Sequence, residues 1–127
     1  MINRYATALV TLAGTLALLS GLIIWLGAAP SLLSMHMLLG FLAVSGMCTV
    51  AIGQAFARGG SRVLALIGTL VGALTIYIGI NQAALLPGDY HWLVQAGHLL
   101  LGILTIGIVH MIAARQRHAQ SDDQNKS

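Results

Sequence analysis

Residues 31–57 read SLLSMHMLLGFLAVSGMCTVAIGQAFA, a run without a single Lys, Arg, Asp or Glu. About 20 apolar residues suffice to cross a bilayer as a helix, so this stretch predicts a membrane-spanning helix. Three further stretches, 5–29, 63–86 and 91–114, read the same way. Across the 127 residues 57% are hydrophobic and only 7% charged, and the mean hydropathy is +0.87. A soluble domain carries about 25% charged residues, so a soluble surface is excluded. The length allows one domain. The expected fold class is an all-α, integral membrane, up-down-up-down four-helix bundle over residues 1–115. A polar tail, 116–127, follows and is expected to fray.

Charge sets the expected topology. The basic residues are Arg4, Arg58, Arg62, Arg115, Arg117 and Lys126, and four spans put all of them on one side. The other side holds the turn at Pro30-Ser31 and the loop Leu86-Pro-Gly-Asp-Tyr90, with Asp89 its sole charge. The positive-inside rule then makes both termini cytoplasmic, in a bacterial inner membrane. Trp25, Tyr90 and Trp92 fall at the outer ends of the first and fourth spans, where aromatic belts form. Arg4 and Gly27-Ala28-Ala29-Pro30 faintly resemble a signal peptide. The apolar run between them exceeds the ~7–15 residues of a signal core, so it is read as a retained helix. Short connections make consecutive helices antiparallel neighbours. Thr7, Thr11, Gly14, Leu18 and Gly21 align on one face of the first helix, and Gly68, Gly72, Thr75, Gly79 and Gln82 on one face of the third. Such small-residue stripes let membrane helices pack closely, within the bundle or against a partner chain.

One string occurs twice: His36-Met-Leu-Leu-Gly40 and His98-Leu-Leu-Leu-Gly102. A histidine inside a membrane helix is costly and marks a functional site by default. Both strings lie on helices running from outside to inside, and at ~1.5 Å per residue both histidines sit ~8–9 Å below the outer interface. The second and fourth helices of an up-down bundle are diagonal, so both imidazoles can point to the central axis. Two neutral imidazoles can serve as both axial ligands of one haem iron. Gly40 and Gly102, one turn below, would leave space at the porphyrin edge. His91 and Gln95 share a helical face with His98 and could hydrogen-bond the haem's polar edge, as could Asn81, Gln82 and Tyr90. Lys and Arg are absent from that side. Six-coordinate iron suits electron transfer, so the pattern predicts a carrier more than an enzyme.

Histidines at matched depth on the second and fourth helices make residues 34–112 similar to one haem site of cytochrome b561-type membrane proteins. The resemblance implies that His36 and His98 form the axial pair of a b-type haem. It also implies electron exchange among quinone, ascorbate-like or superoxide donors and a second acceptor, such as another membrane redox subunit. Proteins of that type commonly hold two haems, whereas no second matched pair exists here. His110 is rotated ~120° from His98 on the helical wheel, and at its depth the other helices offer Cys48 or Gln54. One haem near the outer face is therefore expected.

Other readings stay open. Met35-His36-Met37 offers thioether and imidazole ligands that suit Cu(I), although successive helical residues diverge by ~100°. The histidines could instead join helices by hydrogen bonds or handle protons. A cofactor-free accessory subunit of a respiratory or transport complex, or a homodimer, also suits the small size and glycine-rich faces. Cys48 is the only cysteine, which excludes an internal disulfide. The acids Asp89, Asp122 and Asp123 lie outside the spans, so no carboxylate base is available within the bundle. The basic residues sit at helix ends and form no nucleic-acid-binding patch.

Overall fold

A computed structural model describes residues 2–57 and 60–126. Arg58, one of the basic residues counted above, lies outside the described residues. Among the described residues four helices form the fold: α1 (Ile2–Trp25), α2 (Leu33–Phe56), α3 (Arg62–Asn81) and α4 (His91–Lys126), with one 3-10 turn at Pro30–Leu32. No strand occurs among the described residues, and all four helices are long and apolar enough to cross a membrane.

Local chemistry decides where the helices stop. α1 ends at Trp25, short of the expected residue 29, in a Schellman arrangement: Gly27 N–H donates to Ile24 O and Ala28 N–H to Ile23 O. Gly27 sits at φ +73, where a missing Cβ removes the steric penalty. α3 begins on Ser61, whose hydroxyl accepts from Leu64 N–H at 3.2 Å. It stops at Asn81 and not at 86. Pro87 disfavours helical geometry at the residue before it, and Leu86 takes φ +44. α4 does the opposite and runs on through the segment expected to fray. Residues 108–126 contain neither Gly nor Pro, so nothing in that stretch breaks the helix.

The helices form a ring in which α1 and α3 each pack on α2 and α4. α2 and α4 also meet across the diagonal, whereas α1 and α3 do not meet among the described residues. Consecutive helices are antiparallel, so α2 and α4 run parallel. Their register is constant: His98 faces His36 and Gln116 faces Gln54, each pair 62 residues apart.

Packing differs along the bundle. Val10, Met47, Val50, Ala51, Ile108, Val109 and Ile112 form a closed core in the half nearer the chain ends. Gly68 and Gly72 of α3 bring that helix against Ala51, Met47 and Cys48 of α2. Outward positions are apolar as well: Leu12, Leu66, Leu70, Leu100 and Ile103 are each more than half exposed. An apolar belt of that extent marks contact with lipid or protein.

Candidate functional site: a histidine pair on a shared cavity

The half of the bundle nearer the α1–α2 and α3–α4 links contains a cavity of about 410 Å³ lined by all four helices. This lies within the ~300–1,000 Å³ usual for small-molecule and cofactor sites. His36, His98, Gly40, Gly102, His91 and Gln95, the six residues singled out from sequence, all line it.

The two imidazoles approach across the α2–α4 diagonal, with ring centres 6.1 Å apart and planes inclined by 69°. His36 Nδ1 lies 2.9 Å from the carbonyl oxygen of Ala17. A carbonyl only accepts, so Nδ1 carries the hydrogen, and neutral His36 keeps its lone pair on Nε2. Ser20 adds its hydroxyl oxygen 3.4 Å from the same nitrogen while donating its own hydrogen to Ala17 O at 3.0 Å. His98 differs. Its Nδ1 is buried and has no hydrogen-bond partner among the described residues, and an unmet buried polar atom costs ~1–3 kcal/mol.

Each ring rests on a glycine of the neighbouring helix. A Cβ on Gly21 of α1 would stand 2.8 Å from His36 Cε1, and one on Gly79 of α3 would stand 2.8 Å from His98 Cε1. Sequence reasoning missed this role. The signal was present at the ends of the small-residue stripes of α1 and α3, read there as helix packing. Of the glycines one turn below the histidines, Gly40 opens onto the cavity with nothing within 4 Å of its missing Cβ. Gly102 behaves differently, because a Cβ there would meet Leu18 Cδ2 at 2.9 Å.

The rest of the wall is uncharged. Leu18, Leu22, Phe41, Val44, Ile76 and Leu99 line its apolar part. At its deep end Thr75 and Thr105 donate their hydroxyl hydrogens to Val71 O and Leu101 O, one turn earlier in their own helices. Near the α3–α4 link it turns polar, with Gln82, His91 and Gln95. His91 Nδ1 is 3.2 Å from Leu85 O, so this nitrogen donates and Nε2 is left for other partners.

Other singled-out residues lie apart. His110 donates from Nε2 to Thr11 Oγ1 at 3.0 Å, since the hydroxyl hydrogen is committed to Thr7 O. Cys48 packs against Gly72. His118 is exposed on the α4 extension. Met37 lines the cavity, whereas Met35 faces a shallow outer groove beside Leu16 and Leu39. No family model matches the chain, and neither a curated protein nor a solved structure is found similar to it.

Proposed function

We propose that this chain is a membrane electron carrier that holds one b-type haem between His36 and His98. One observation carries the reading: two imidazoles from diagonal helices have centres 6.1 Å apart on one cavity of about 410 Å³. A metal bonded to both imidazole nitrogens at about 2.0 Å separates the ring centres by about 6 Å. The ring around this axis also suits a flat macrocycle. α2 and α4 approach on the ligand diagonal while α1 and α3 stay apart on the other, which is the direction a plate perpendicular to the axis would fill. Among the described residues no group of three His, Cys, Asp or Glu forms around the pair. A bare ion would have two protein donors, whereas a porphyrin brings its own in-plane nitrogens.

Bound there, haem would supply one-electron chemistry, with the potential set by axial ligation and burial. The chain's own residues do the rest. Ala17 O and Ser20 orient His36, the apolar wall excludes water, and Gln82, His91 and Gln95 offer hydrogen bonds to the polar edge of the macrocycle. Copper fits less well, because Met35 and Met37 diverge to different faces. Arg4, Arg62, Arg115 and Arg117 gather at the end away from the cavity. The positive-inside rule then places both termini in the cytoplasm of a bacterial cell and the haem toward the outer face. There it would exchange electrons with quinone or a redox partner.

The test is spectroscopic. Protein purified in detergent after expression with sufficient haem should show sharp α and Soret bands in reduced-minus-oxidised spectra, at one haem per chain. His36→Ala and His98→Ala should each abolish this low-spin spectrum while leaving the helical circular dichroism unchanged. A colourless wild type, or a haem spectrum indifferent to both substitutions, overturns the proposal.

A further inference from the structure

The two imidazoles are held unequally. His36 is tied to α1 by the Ala17 carbonyl at 2.9 Å, with Ser20 at 3.4 Å. His98 Nδ1 is buried without a partner. Each ring leans on a glycine of the preceding antiparallel helix, Gly21 or Gly79, with Cε1 2.8 Å from the position of the missing Cβ; the nitrogen nearer that position is Nδ1 in His36, at 3.1 Å, and Nε2 in His98, at 3.4 Å. The residue before that glycine is Ser20 on α1 and Ile78 on α3. The hydroxyl beside His36 thus has an alkyl side chain at the corresponding place beside His98.

Metal-bound histidines ordinarily donate their second N–H to a carbonyl, carboxylate or water, which fixes the ring and strengthens it as a ligand. By that rule His36 is the anchored ligand and His98 the weaker one. A ring without this tether is held by packing alone, here against Gly79.

We infer that His98 is a displaceable ligand, so that its side of the site is a coordination position for a small neutral diatomic molecule. The inference rests on the haem reading above and goes beyond it, since a permanently bis-histidine haem binds no such ligand. The class of ligand follows from the wall: no charged side chain lines the cavity, so nothing there would stabilise an anion. With haem held by His36, the exchange would give up the bond to His98 and replace it by one to the incoming molecule. Neither oxidation nor proton transfer is required.

Carbon monoxide is the probe, applied to the full chain loaded with haem and reduced with dithionite. The wild type should bind it, with a shifted Soret band. His98→Gly should retain haem that binds carbon monoxide directly and returns to a low-spin spectrum when imidazole is added. His36→Gly should hold at least several-fold less haem. Ile78→Ser gives the decisive comparison, because it places a hydroxyl where α1 has Ser20. It should weaken carbon monoxide binding about fivefold, the effect of one ordinary neutral hydrogen bond. A low-spin wild-type haem that ignores carbon monoxide overturns the inference and leaves the carrier reading intact. Ile78→Ser binding as tightly as wild type, or His36→Gly retaining haem better than His98→Gly, also overturns it. A wild type that never takes up haem overturns the carrier reading, and this inference with it.

Discussion

Two polar bridges cross the same diagonal of this bundle, in the same register. His36 meets His98 near one end, and Gln116 donates to Gln54 at 2.8 Å near the other. Eighteen residues, ~27 Å of helix, separate them on each strand of the diagonal, close to the ~30 Å thickness of a hydrocarbon core. Their surroundings have nothing else in common. The glutamine bridge closes a packed core in which Gln54 is 1% exposed beside Val109 and Ile112 at 0%. The histidine bridge stands over a cavity that glycines on all four helices help to line. The same diagonal contact therefore does two jobs. A short amide bridge lies within a closed core, whereas the two imidazoles, 6.1 Å apart, border a cavity.

The largest expected effect comes from filling the open end. Gly21→Leu or Gly79→Leu puts a side chain where a Cβ alone already stands 2.8 Å from the imidazole. Displacement of His36 by Gly21→Leu should remove most bound haem, read as the Soret-to-protein absorbance ratio, whereas Gly79→Leu, which displaces His98, should lower the ratio less and remove the low-spin bands. The four-helix fold should survive, because the closed core lies in the other half. Gly53→Ala, on α2 outside the cavity lining and with nothing within 4 Å of the new methyl, should leave haem content near the wild-type level. Equal losses at all three positions would mean that the glycines serve general packing and do not seat the rings.

A smaller effect of a different kind is expected at the closed end. Met47 is fully buried in the core cluster, and Met→Ala at such a site costs ~2–5 kcal/mol through lost contacts and the void left behind. Met47→Ala should lower the denaturant midpoint in detergent while leaving the wavelengths of the haem bands unchanged. If the bands move along with stability, the two halves are coupled and the contrast between them fails.

The sequence carried some parts of this arrangement more clearly than others. Uninterrupted apolar runs made the four helices legible, since length and hydropathy act locally. The shared depth of His36 and His98 was also legible, because two parallel helices carrying the same string inherit the same register. Helix ends were harder. A Schellman turn at Gly27 and a positive φ before Pro87 depend on backbone detail that hydropathy averages away. The continuation of α4 into its polar tail was missed because polar composition was taken for disorder, although the segment has no helix breaker. The roles of Gly21 and Gly79 were hidden for a deeper reason. A glycine that packs a helix and a glycine on which a histidine ring rests look identical until the neighbouring helix is in place.

The smallest effect tests the amide bridge. Gln54 Oε1 accepts from Gln116, but Gln54 Nε2 is buried with no partner, so Gln54 is only half satisfied. Hydrogen bonds between membrane helices contribute ~0.6 kcal/mol on average. Removing one partner of a buried pair strands the other, whereas replacing both with apolar groups of similar shape is near neutral or stabilising. Gln116→Leu should therefore cost ~1 kcal/mol because it strands Gln54. Gln54→Leu should cost less, because it also removes the unpartnered Nε2. The double variant should return to near wild-type stability, so that the coupling in the double-mutant cycle equals about the sum of the two single costs, ~1 kcal/mol or more. Replacing both histidines should instead cost all haem binding, whatever it does to stability. A double glutamine variant that loses haem would show that the amide bridge sets the spacing of the helices at the imidazoles, ~27 Å away along the bundle. In that event one rigid diagonal, and not two independent ends, would govern the site.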